Sequence, residues 1–253
     1  MKNETGRAGW PFFDFAFCIL QLSTLAVTAS LDAATTNDSA TAEREGRQLA
    51  HQLCDLRPEA NLTNTGKLVL RIPKQQRQEI PFSSRILLTE TNWTTAYEAI
   101  PDTNGPVTFR VEHRAKTPNL YFVTGATLVP NDQTMTPFAG SDFWLADLGL
   151  EFFHWPAQRL WKREMRRGKS CHVLESRRPE SWTNGYARVV SWIHTESGAI
   201  VQAEAYDPRG KLLKEFRPTA VEKVNGAWQL KEMEIENVQT GSRTTLVFDL
   251  QPE

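Results

Sequence analysis

The acidic side chains of one mid-chain segment are the first candidates for chemistry. Asp142, Asp147 and Glu151 lie close together in the sequence. Two carboxylates held near each other could serve as a general acid and a general base. The structural alternative is that Asp142 caps a short helix and that the other two lie in its first turns, where the helix dipole favours acidic groups. The spacing favours this capping interpretation over a catalytic one.

Other catalytic or metal-binding signatures are missing from the sequence. The five histidines are scattered, and the one His next to a cysteine, His172 beside Cys171, would point to the opposite face of a strand. The sequence contains no phosphate-binding loop, no GxGxxG, no HExxH, no CxxC pair and no GxSxG elbow. We therefore expect no enzymatic activity, no metal and no cofactor, with a secreted hydrolase kept as a remote alternative.

An unusually apolar run surrounds the acidic residues. Gly140 supplies a flexible corner, and Ser141 or Asp142 can cap the helix that follows. The bulky residues of the run are Phe143, Trp144, Leu148, Phe152 and Phe153. A helix that plugs the protein core and a helix that forms a lid over a cavity for an apolar ligand have the same sequence pattern. Both interpretations therefore remain open at this stage.

The N-terminus predicts export. Lys2 and Arg7 precede an apolar stretch over residues 15–27, and small residues at Ala29 and Ala33 offer cleavage sites. Residues 1–34 are therefore predicted to be a signal peptide with its cleavage region, the alternative being an uncleaved membrane anchor. Residues 35–253 are predicted to form a single domain.

The net charge of the chain limits the binding partners to be expected. Residues 1–34 hold two of the 29 basic and three of the 30 acidic side chains, so the rest of the chain is neutral. A neutral domain has no general attraction to nucleic acid or to an anionic membrane.

Cys54 and Cys171 could form a disulfide in an exported protein or could remain free thiols.

The pattern along the chain predicts an α+β protein. Residues 43–56 read as a helix after a disordered start over 35–42, and residues 127–137 read as a loop. Short alternating runs separated by Gly, Pro, Asn and Asp predict antiparallel strands in a strongly curved sheet or barrel. These strands are expected at 67–72, 84–89, 94–99, 106–113, 120–124, 160–165, 171–175, 186–195, 199–206, 211–217, 228–236 and 244–250.

Two further patterns concern the strands themselves. In the run 228–236 the apolar positions change parity, which predicts a bulge or bend. A basic stretch around the predicted hairpin at 166–169 is either a docking patch for an acidic partner or lipid headgroups, or a solvated hairpin. Its members are Lys162, Arg163, Arg166, Arg167, Lys169, Arg177 and Arg178.

A short motif in the mid-chain segment resembles a family signature. The pattern Phe-x-Gly-Ser/Thr-Asp-Phe-x-x-x-Asp-Leu is matched by Phe138, Gly140, Ser141, Asp142, Phe143, Asp147 and Leu148. With the downstream runs 171–175, 186–193 and 205–213, the chain resembles the outer membrane lipoprotein-sorting family, the LolA-like periplasmic lipoprotein carriers. The likeness covers about residues 105–250. It implies an incomplete, half-open antiparallel β-barrel, with helices that form a lid over a hydrophobic cavity.

The resemblance also implies a function. Such carriers bind the acyl chains of a lipoprotein, or another lipid, and transfer them from an inner-membrane transporter toward an outer-membrane acceptor without catalysis. This chain would then be a monomeric periplasmic protein with no nucleic-acid partner. The alternative is an envelope-sensing module built on the same lipid-binding half-barrel. The residues expected to form the lid are Phe143, Trp144, Leu148, Phe152 and Phe153, and those expected to line the cavity wall are Val107, Phe109, Val111 and Trp192.

The resemblance raises one question about the lid. The best-known carriers hold the lid with an arginine on an early strand, and Arg71 is the candidate counterpart in this sequence.

Overall fold

A computed structural model describes residues 38–102, 105–114, 117–124, 127–180, 185–224 and 227–250. The predicted signal peptide, residues 1–34, lies outside the described residues. Within the described ranges, none of the helices has the length and apolar character needed to cross a bilayer.

The secondary structure is dominated by strands. The helical elements are α1 (Asp38–Cys54), α2 (Leu145–Leu148) and two single 3-10 turns at Asn131–Gln133 and Glu151–His154. The first six strands are β1 (Leu62–Arg71), β2 (Gln78–Leu88), β3 (Trp93–Ala99), β4 (Val107–His113), β5 (Leu120–Val123) and β6 (Thr127–Val129). The other seven are β7 (Ala157–Arg166), β8 (Lys169–Arg177), β9 (Arg188–His194), β10 (Ile200–Tyr206), β11 (Leu212–Val224), β12 (Ala227–Asn237) and β13 (Ser242–Phe248).

All these strands form one antiparallel sheet. The order is β6-β5-β4-β3-β2-β1-β13-β12-β11-β10-β9-β8-β7, so 13 strands run from a β6 edge to a β7 edge without closing. The two halves of the chain meet where β1 pairs with β13, from Gly66 opposite Phe248 to Arg71 opposite Arg243. The predicted α+β fold class, a half-open antiparallel barrel, is confirmed.

The concave face of the sheet carries the main hydrophobic core. Along β3 the buried and less buried residues alternate, as expected for a strand with one face turned to the core. Neighbouring strands place aromatic rings side by side on this face. The ring centroids of Tyr97 and Phe109 are 5.8 Å apart, and those of Phe109 and Tyr121 are 6.0 Å apart. Stacked rings in such a row hold the first half of the sheet together.

One predicted wall residue lies on the wrong face. Trp192 is buried, but it packs with Cys171, Val173 and Val190 in a second, smaller cluster. Its neighbours in β9, Val189 and Ile193, belong to the main core instead. Since successive side chains of a strand point to opposite faces, Trp192 lies on the convex side of the sheet. Its assignment to the cavity wall was wrong.

Several predicted boundaries need correction. Helix α1 begins at Asp38, so the predicted disordered start over 35–42 was wrong in its second half. The predicted loop over 127–137 contains β6, because Phe122 of β5 pairs with Leu128. The predicted irregularity in β12 is confirmed, since Ala220 is opposite Glu232 and Val221 is opposite Leu230, which leaves Lys231 of β12 unpaired in the register.

The two cysteines of the described residues are free thiols. Cys54 is half-buried at the end of α1 and packs against the main core, whereas Cys171 is buried in the smaller cluster on the convex face. Burial raises the pKa of Cys54 to about 12, which keeps this thiol protonated and unreactive. Of the two alternatives for these residues, the structure has free thiols.

Helix α1 packs directly on the backbone of β7. Gly46 faces Arg159, and a Cβ atom placed on Gly46 would lie 2.6 Å from the N, Cα and C atoms of Arg159. Backbone atoms of a paired strand cannot move aside as a flexible side chain could. The glycine therefore sets how closely the helix approaches the sheet.

We predict that Gly46→Ala destabilises the protein by about 1–3 kcal/mol, the range for overpacking a tight contact. Helix propensity alone would favour alanine by about 1 kcal/mol, so the sign of the change identifies the clash. Chemical denaturation measures the free energy of unfolding. Glu45→Ala, at the exposed neighbouring position, is the control and should be neutral or slightly stabilising. A stabilised Gly46→Ala variant would contradict the close packing of α1 on β7.

Candidate functional site

The chain leaves the sheet after β6 and covers the concave face before it returns as β7. We call residues 131–155 the lid segment; it contains α2 and both 3-10 turns. Its apolar side chains belong to the same hydrophobic cluster as the concave face of the sheet. The lid segment is therefore part of the core in this state, and it is not a loosely placed cover.

The structure brings together most of the predicted site residues. Four of the five lid candidates are buried in the main core with the wall candidates Phe109 and Val111, and these four are Phe143, Leu148, Phe152 and Phe153. The fifth, Trp144, is half-buried and packs against the core from its edge, as does Val107 of the predicted wall. Trp192 alone is separated from them by the sheet.

Phe138 anchors the start of the motif. Its ring centroid lies 6.4 Å from that of Phe82, 6.5 Å from that of Tyr97 and 6.3 Å from that of Phe109. The chain then reverses, because the Phe138 N–H donates to the Phe143 carbonyl at 2.8 Å. Gly140 has a φ of 72° in this turn, and the Ser141 hydroxyl accepts the Phe143 N–H at 3.2 Å. The motif thus places two phenylalanines in the core across one tight turn.

Asp142 ties the lid segment to the last strand. Its two carboxylate oxygens accept hydrogen bonds from the hydroxyls of Ser242, at 2.5 Å, and Thr244, at 2.9 Å. Its N–H also donates to the Thr244 hydroxyl at 2.9 Å. The predicted capping role was wrong, because α2 begins only at Leu145 and Asp142 lies before it. We call these contacts of Asp142 with Ser242 and Thr244 the tether.

A second polar group fastens α2 to the middle of the sheet. Tyr186 donates its hydroxyl proton to the Asp147 carboxylate, with oxygen distances of 2.8 and 3.0 Å. The Lys214 ammonium of β11 lies 3.5 Å from Asp147 Oδ2 and donates to the Asp142 carbonyl at 2.6 Å. Asp147 Oδ2 also accepts the Trp144 N–H at 2.8 Å. We call Asp147, Tyr186 and Lys214 the latch.

Aromatic rings enclose the latch. The Lys214 Nζ lies 3.4 Å from the centroid of the Trp144 ring, and that ring stacks on Tyr186 at 4.6 Å. A cation over an aromatic face is attracted by the negative charge of the ring face, and the attraction grows as water is removed. The side chain of Lys214 is 1% exposed and that of Asp147 is 6% exposed, so water is largely excluded.

Burial opposes the charge on both partners of the latch. It lowers the pKa of Lys214 to about 8, even though the nearby Asp147 and Asp142 carboxylates favour the ammonium form. It also raises the pKa of Asp147, against the opposing effects of Lys214, the Trp144 N–H and Tyr186. A buried pair of this kind is stable only when both partners are present, because either one alone would be an uncompensated buried charge.

Little space remains beneath the latch. The cavity there has a volume of about 10 Å³, which is room for about one water molecule. Its apolar lining includes Phe152, Val189 and Phe216. The lid segment therefore fills the concave face itself, and an apolar ligand can enter this space only if the lid segment moves outward.

A separate polar cluster lies at the far end of the lid segment. The Asn131 side chain donates to the buried Glu151 carboxylate at 3.0 Å, and the Asn119 side chain donates to the Gly149 carbonyl at 2.9 Å. Burial raises the pKa of Glu151 to about 7, outweighing the opposite effects of Tyr121 and Asn131. At His154 burial lowers the pKa of the imidazole to about 4.

The three acidic residues of the segment thus serve different structural contacts. Asp142 binds β13, Asp147 binds β11 through Lys214, and Glu151 lies at the other end of the lid segment. In the part of the chain that the structure describes, no group of three or more His, Cys, Asp or Glu side chains is arranged to hold a metal ion. The contacts of these three residues support a closure of the lid segment that is held by polar groups.

Sequence reasoning did not identify the latch lysine. Arg71, the candidate counterpart of the family arginine, is exposed, and Lys214 holds the lid segment instead. The available signal was the parity of β11, where Lys214 has the same parity as the buried Phe216. A lysine on the core side of a strand needs a partner, and Asp147 provides it.

Part of the basic stretch pairs with neighbouring acids. Lys162 lies 2.5 Å from Glu164, and Arg166 lies 3.0 Å from Glu204. Arg177 lies 3.1 Å from Glu175. These pairs favour the solvated-hairpin interpretation over a docking patch.

Comparison with solved structures defines the class. The fold is similar to that of an outer membrane lipoprotein-sorting protein domain, so named, from Vibrio parahaemolyticus, with a TM-score of 0.68, 20% identity and coverage of 82% of this chain and 92% of that one. A DUF1329 family protein from Desulfovibrio piger gives a TM-score of 0.66 at 16% identity, covering 82% and 91%. A LolA superfamily protein from Nitrosomonas europaea gives 0.55 at 14% identity, covering 83% and 92%. The chain thus has the open-barrel fold of LolA-like proteins.

Sequence comparison adds a narrower assignment. A family model described as "Uncharacterized protein" matches residues 123–250, just over half of the chain, and the chain belongs to that family. The matched region contains the lid segment, Tyr186, Lys214 and β13, and therefore the complete latch and tether. No curated protein matches the sequence.

We predict that Lys214→Met destabilises the protein by about 3–5 kcal/mol, because it leaves the Asp147 carboxylate buried without its cation. Adding Asp147→Asn to Lys214→Met should recover part of this loss, since the uncompensated charge is then gone. Denaturant titrations of both single variants and the double variant give the coupling free energy. Additive effects of the two substitutions would show that Lys214 and Asp147 do not act as a pair.

We also predict that Glu151 makes stability depend on pH. Between about pH 4.5 and 7 the folded protein holds a proton on Glu151 that the unfolded chain has released. Stability from this group is therefore present at low pH and is lost as the pH rises toward 7. The loss in wild type relative to Glu151→Gln should be on the order of 3 kcal/mol.

His154 contributes in the opposite direction, because its lowered pKa makes stability rise with pH. This contribution is the same in wild type and in Glu151→Gln, so the difference between the two pH profiles removes it. Glu59→Gln, at an exposed position, is the control and should follow the wild-type pH profile. Parallel profiles for wild type and Glu151→Gln would contradict the raised pKa of Glu151.

Proposed function

We propose that this protein is a non-catalytic carrier that shelters acyl chains of lipoproteins, or another lipid, on the concave face of its half-open barrel. In this proposal residues 1–34 direct export to the periplasm, and residues 35–253 form a single lipid-binding domain. The donor would be an inner-membrane transporter and the acceptor a component of the outer membrane. The fold neighbours named for lipoprotein sorting and for the LolA superfamily support this class of function.

The observation that carries the proposal is that the lid segment has an apolar inner surface but is fastened to the sheet by polar contacts. Its inner surface is aromatic and aliphatic, with Phe143, Leu148 and Phe152 buried against the sheet. Its fastening to β11 and β13 is polar and is made by the latch and the tether, while Asn119 holds its far end at the Gly149 carbonyl. A purely structural plug would not require a buried ion pair, since apolar residues of the same size are often as stable or more stable.

The apolar inner surface of the lid segment allows an acyl chain to take its place on the concave face. When the lid segment swings out, its aromatic side chains leave an apolar surface that an acyl chain can cover. Each methylene group buried there is worth about 0.8 kcal/mol, so a long chain can offset the loss of the lid contacts. The closed state, with its cavity of about 10 Å³, then corresponds to the carrier without cargo.

The test is uptake of a fluorescent fatty acid by the wild type and by the double variant Lys214→Met/Asp147→Asn. Apparent affinity is the intrinsic affinity multiplied by the fraction of molecules with an open lid. In the double variant the Asp142 carbonyl also loses the hydrogen bond from Lys214 and has no replacement donor while the lid segment is closed, so the open fraction should rise. We expect the apparent affinity to increase about tenfold, which corresponds to about 1.4 kcal/mol.

Lys211→Met, which removes an exposed lysine just before β11, is the matched control and should bind as wild type does. Native mass spectrometry of protein purified from the periplasm without detergent should also show co-purifying lipid or acylated peptide. If neither the wild type nor the double variant takes up the probe, the carrier proposal fails. The lid segment would then be a fixed part of the core.

A further inference from the structure

The convex face of the sheet, away from the lid segment, is divided into two electrostatic regions. On the β8–β13 side the arginines are neutralised by nearby acids. Arg217 lies 2.7 Å from Glu234, and Arg243 lies 2.8 Å from Glu236. The β2–β5 side is different, because its arginines face an open groove.

This groove has a volume of about 410 Å³, within the size range of small-ligand sites. Its floor is a row of residues that are directly opposite one another across four strands. Arg85 of β2 pairs with Ala96 of β3, Ala96 with Arg110 of β4, and Arg110 with Phe122 of β5. The small side chain of Ala96 leaves a hollow between the two arginines. We call this site the Arg85–Arg110 groove.

Both arginines are available to a ligand. Each is exposed, and neither makes an ion pair with any residue that the structure describes. Strands two apart in a sheet are roughly 10 Å apart, so the long side chains can converge over Ala96. The Arg110 guanidinium also lies 4.3 Å from the centroid of the Phe122 ring, which holds its plane flat and leaves its edge free for an anion.

The groove contains an acid as well. Glu98 is two residues beyond Ala96 on β3, faces the same side, and is exposed without an ion pair to any described residue. A simple anion bound by Arg85 and Arg110 would be repelled by Glu98. A ligand that carries both a phosphate and an ammonium group would satisfy all three side chains.

Apolar side chains complete the rim. Leu87 is 46% exposed, and Leu128, which continues the cross-strand row beyond Phe122, is 55% exposed. Exposed leucines beside a polar groove match a ligand whose charged group is attached to hydrocarbon.

We propose that the Arg85–Arg110 groove binds the zwitterionic headgroup of a phospholipid at a bilayer surface. The phosphate lies between Arg85 and Arg110, and the ammonium group lies at Glu98. Leu87 and Leu128 contact the glycerol and upper acyl region. Because the groove is on the convex face, binding there leaves the lid segment free to open, and this site is independent of the proposed carrier site.

The experiment is co-sedimentation of the full chain with vesicles of phosphatidylethanolamine and phosphatidylcholine at physiological salt. Arg85→Ala/Arg110→Ala should weaken binding by about tenfold or more, since both phosphate contacts are lost. Arg44→Ala/Arg209→Ala removes the same charge from exposed positions outside the groove and is the matched control. It should bind as wild type does.

Glu98→Gln decides the chemistry of the ligand by the sign of its effect. Loss of the carboxylate weakens binding of a zwitterionic headgroup, because its ammonium group loses its partner. The same change strengthens binding of a simple anion, such as an acidic peptide or an anionic lipid. Weaker binding of Glu98→Gln to the vesicles therefore supports the proposal, and stronger binding overturns it.

Two other results would also overturn the proposal. One is absence of wild-type binding to these vesicles, and the other is wild-type binding by Arg85→Ala/Arg110→Ala. The variant Lys214→Met/Asp147→Asn, which lacks the latch ion pair, keeps the groove intact and should bind vesicles at least as well as wild type. This result separates failure of the groove from failure of the carrier proposal, which is measured by fatty-acid uptake.

Discussion

The position of the lid segment depends on a buried lysine ammonium that lies beside two stacked aromatic rings and next to a carboxylate. Lys214 can be buried only because Asp147 and the Asp142 carbonyl receive its charge and hydrogen bonds, and both acceptors belong to the lid segment. The lid segment therefore supplies the partners of a buried charge of the sheet, and that charge in turn holds the lid segment in place. If the lid segment left, Lys214 would gain hydration, which offsets part of the lost contact energy. A purely apolar interface would provide no such compensation.

The same constraint explains the spacing of the motif in the lid segment. Asp142 and Asp147 are separated by a short stretch of chain that places Phe143 and Leu145 in the core. Asp142 reaches β13 and Asp147 reaches Lys214 on β11, so the two acids straddle the strand between them. Gly140 and Ser141 form the turn, and every other motif residue either enters the core or makes a polar contact with a strand. The spacing of the motif residues therefore matches the contacts that a short segment makes as it crosses a curved sheet.

The sequence predicted the strands and the buried aromatic residues of the lid segment, because alternation and hydrophobicity are local properties. The prediction from sequence failed where both faces of a strand are apolar. In β9 the residues Val189, Val190, Trp192 and Ile193 are all apolar and all buried, so parity alone could not assign Trp192 to a face. Lys214 was missed for the opposite reason, since a lysine in a strand is ordinarily expected to face solvent. Its partner is far away in the sequence, and only the tertiary structure brings them together.

The open barrel also leaves β7 as a long edge strand, and its composition has a consequence for how the protein behaves in a crowded compartment. Unpaired backbone groups along such an edge invite another strand to add to the sheet. In β7 the register breaks between Leu160 and Lys162, and Arg159, Lys162 and Arg163 are exposed along it. A kinked, positively charged edge repels a second copy of itself. The positive charge of the basic stretch thus opposes self-association of the protein through β7.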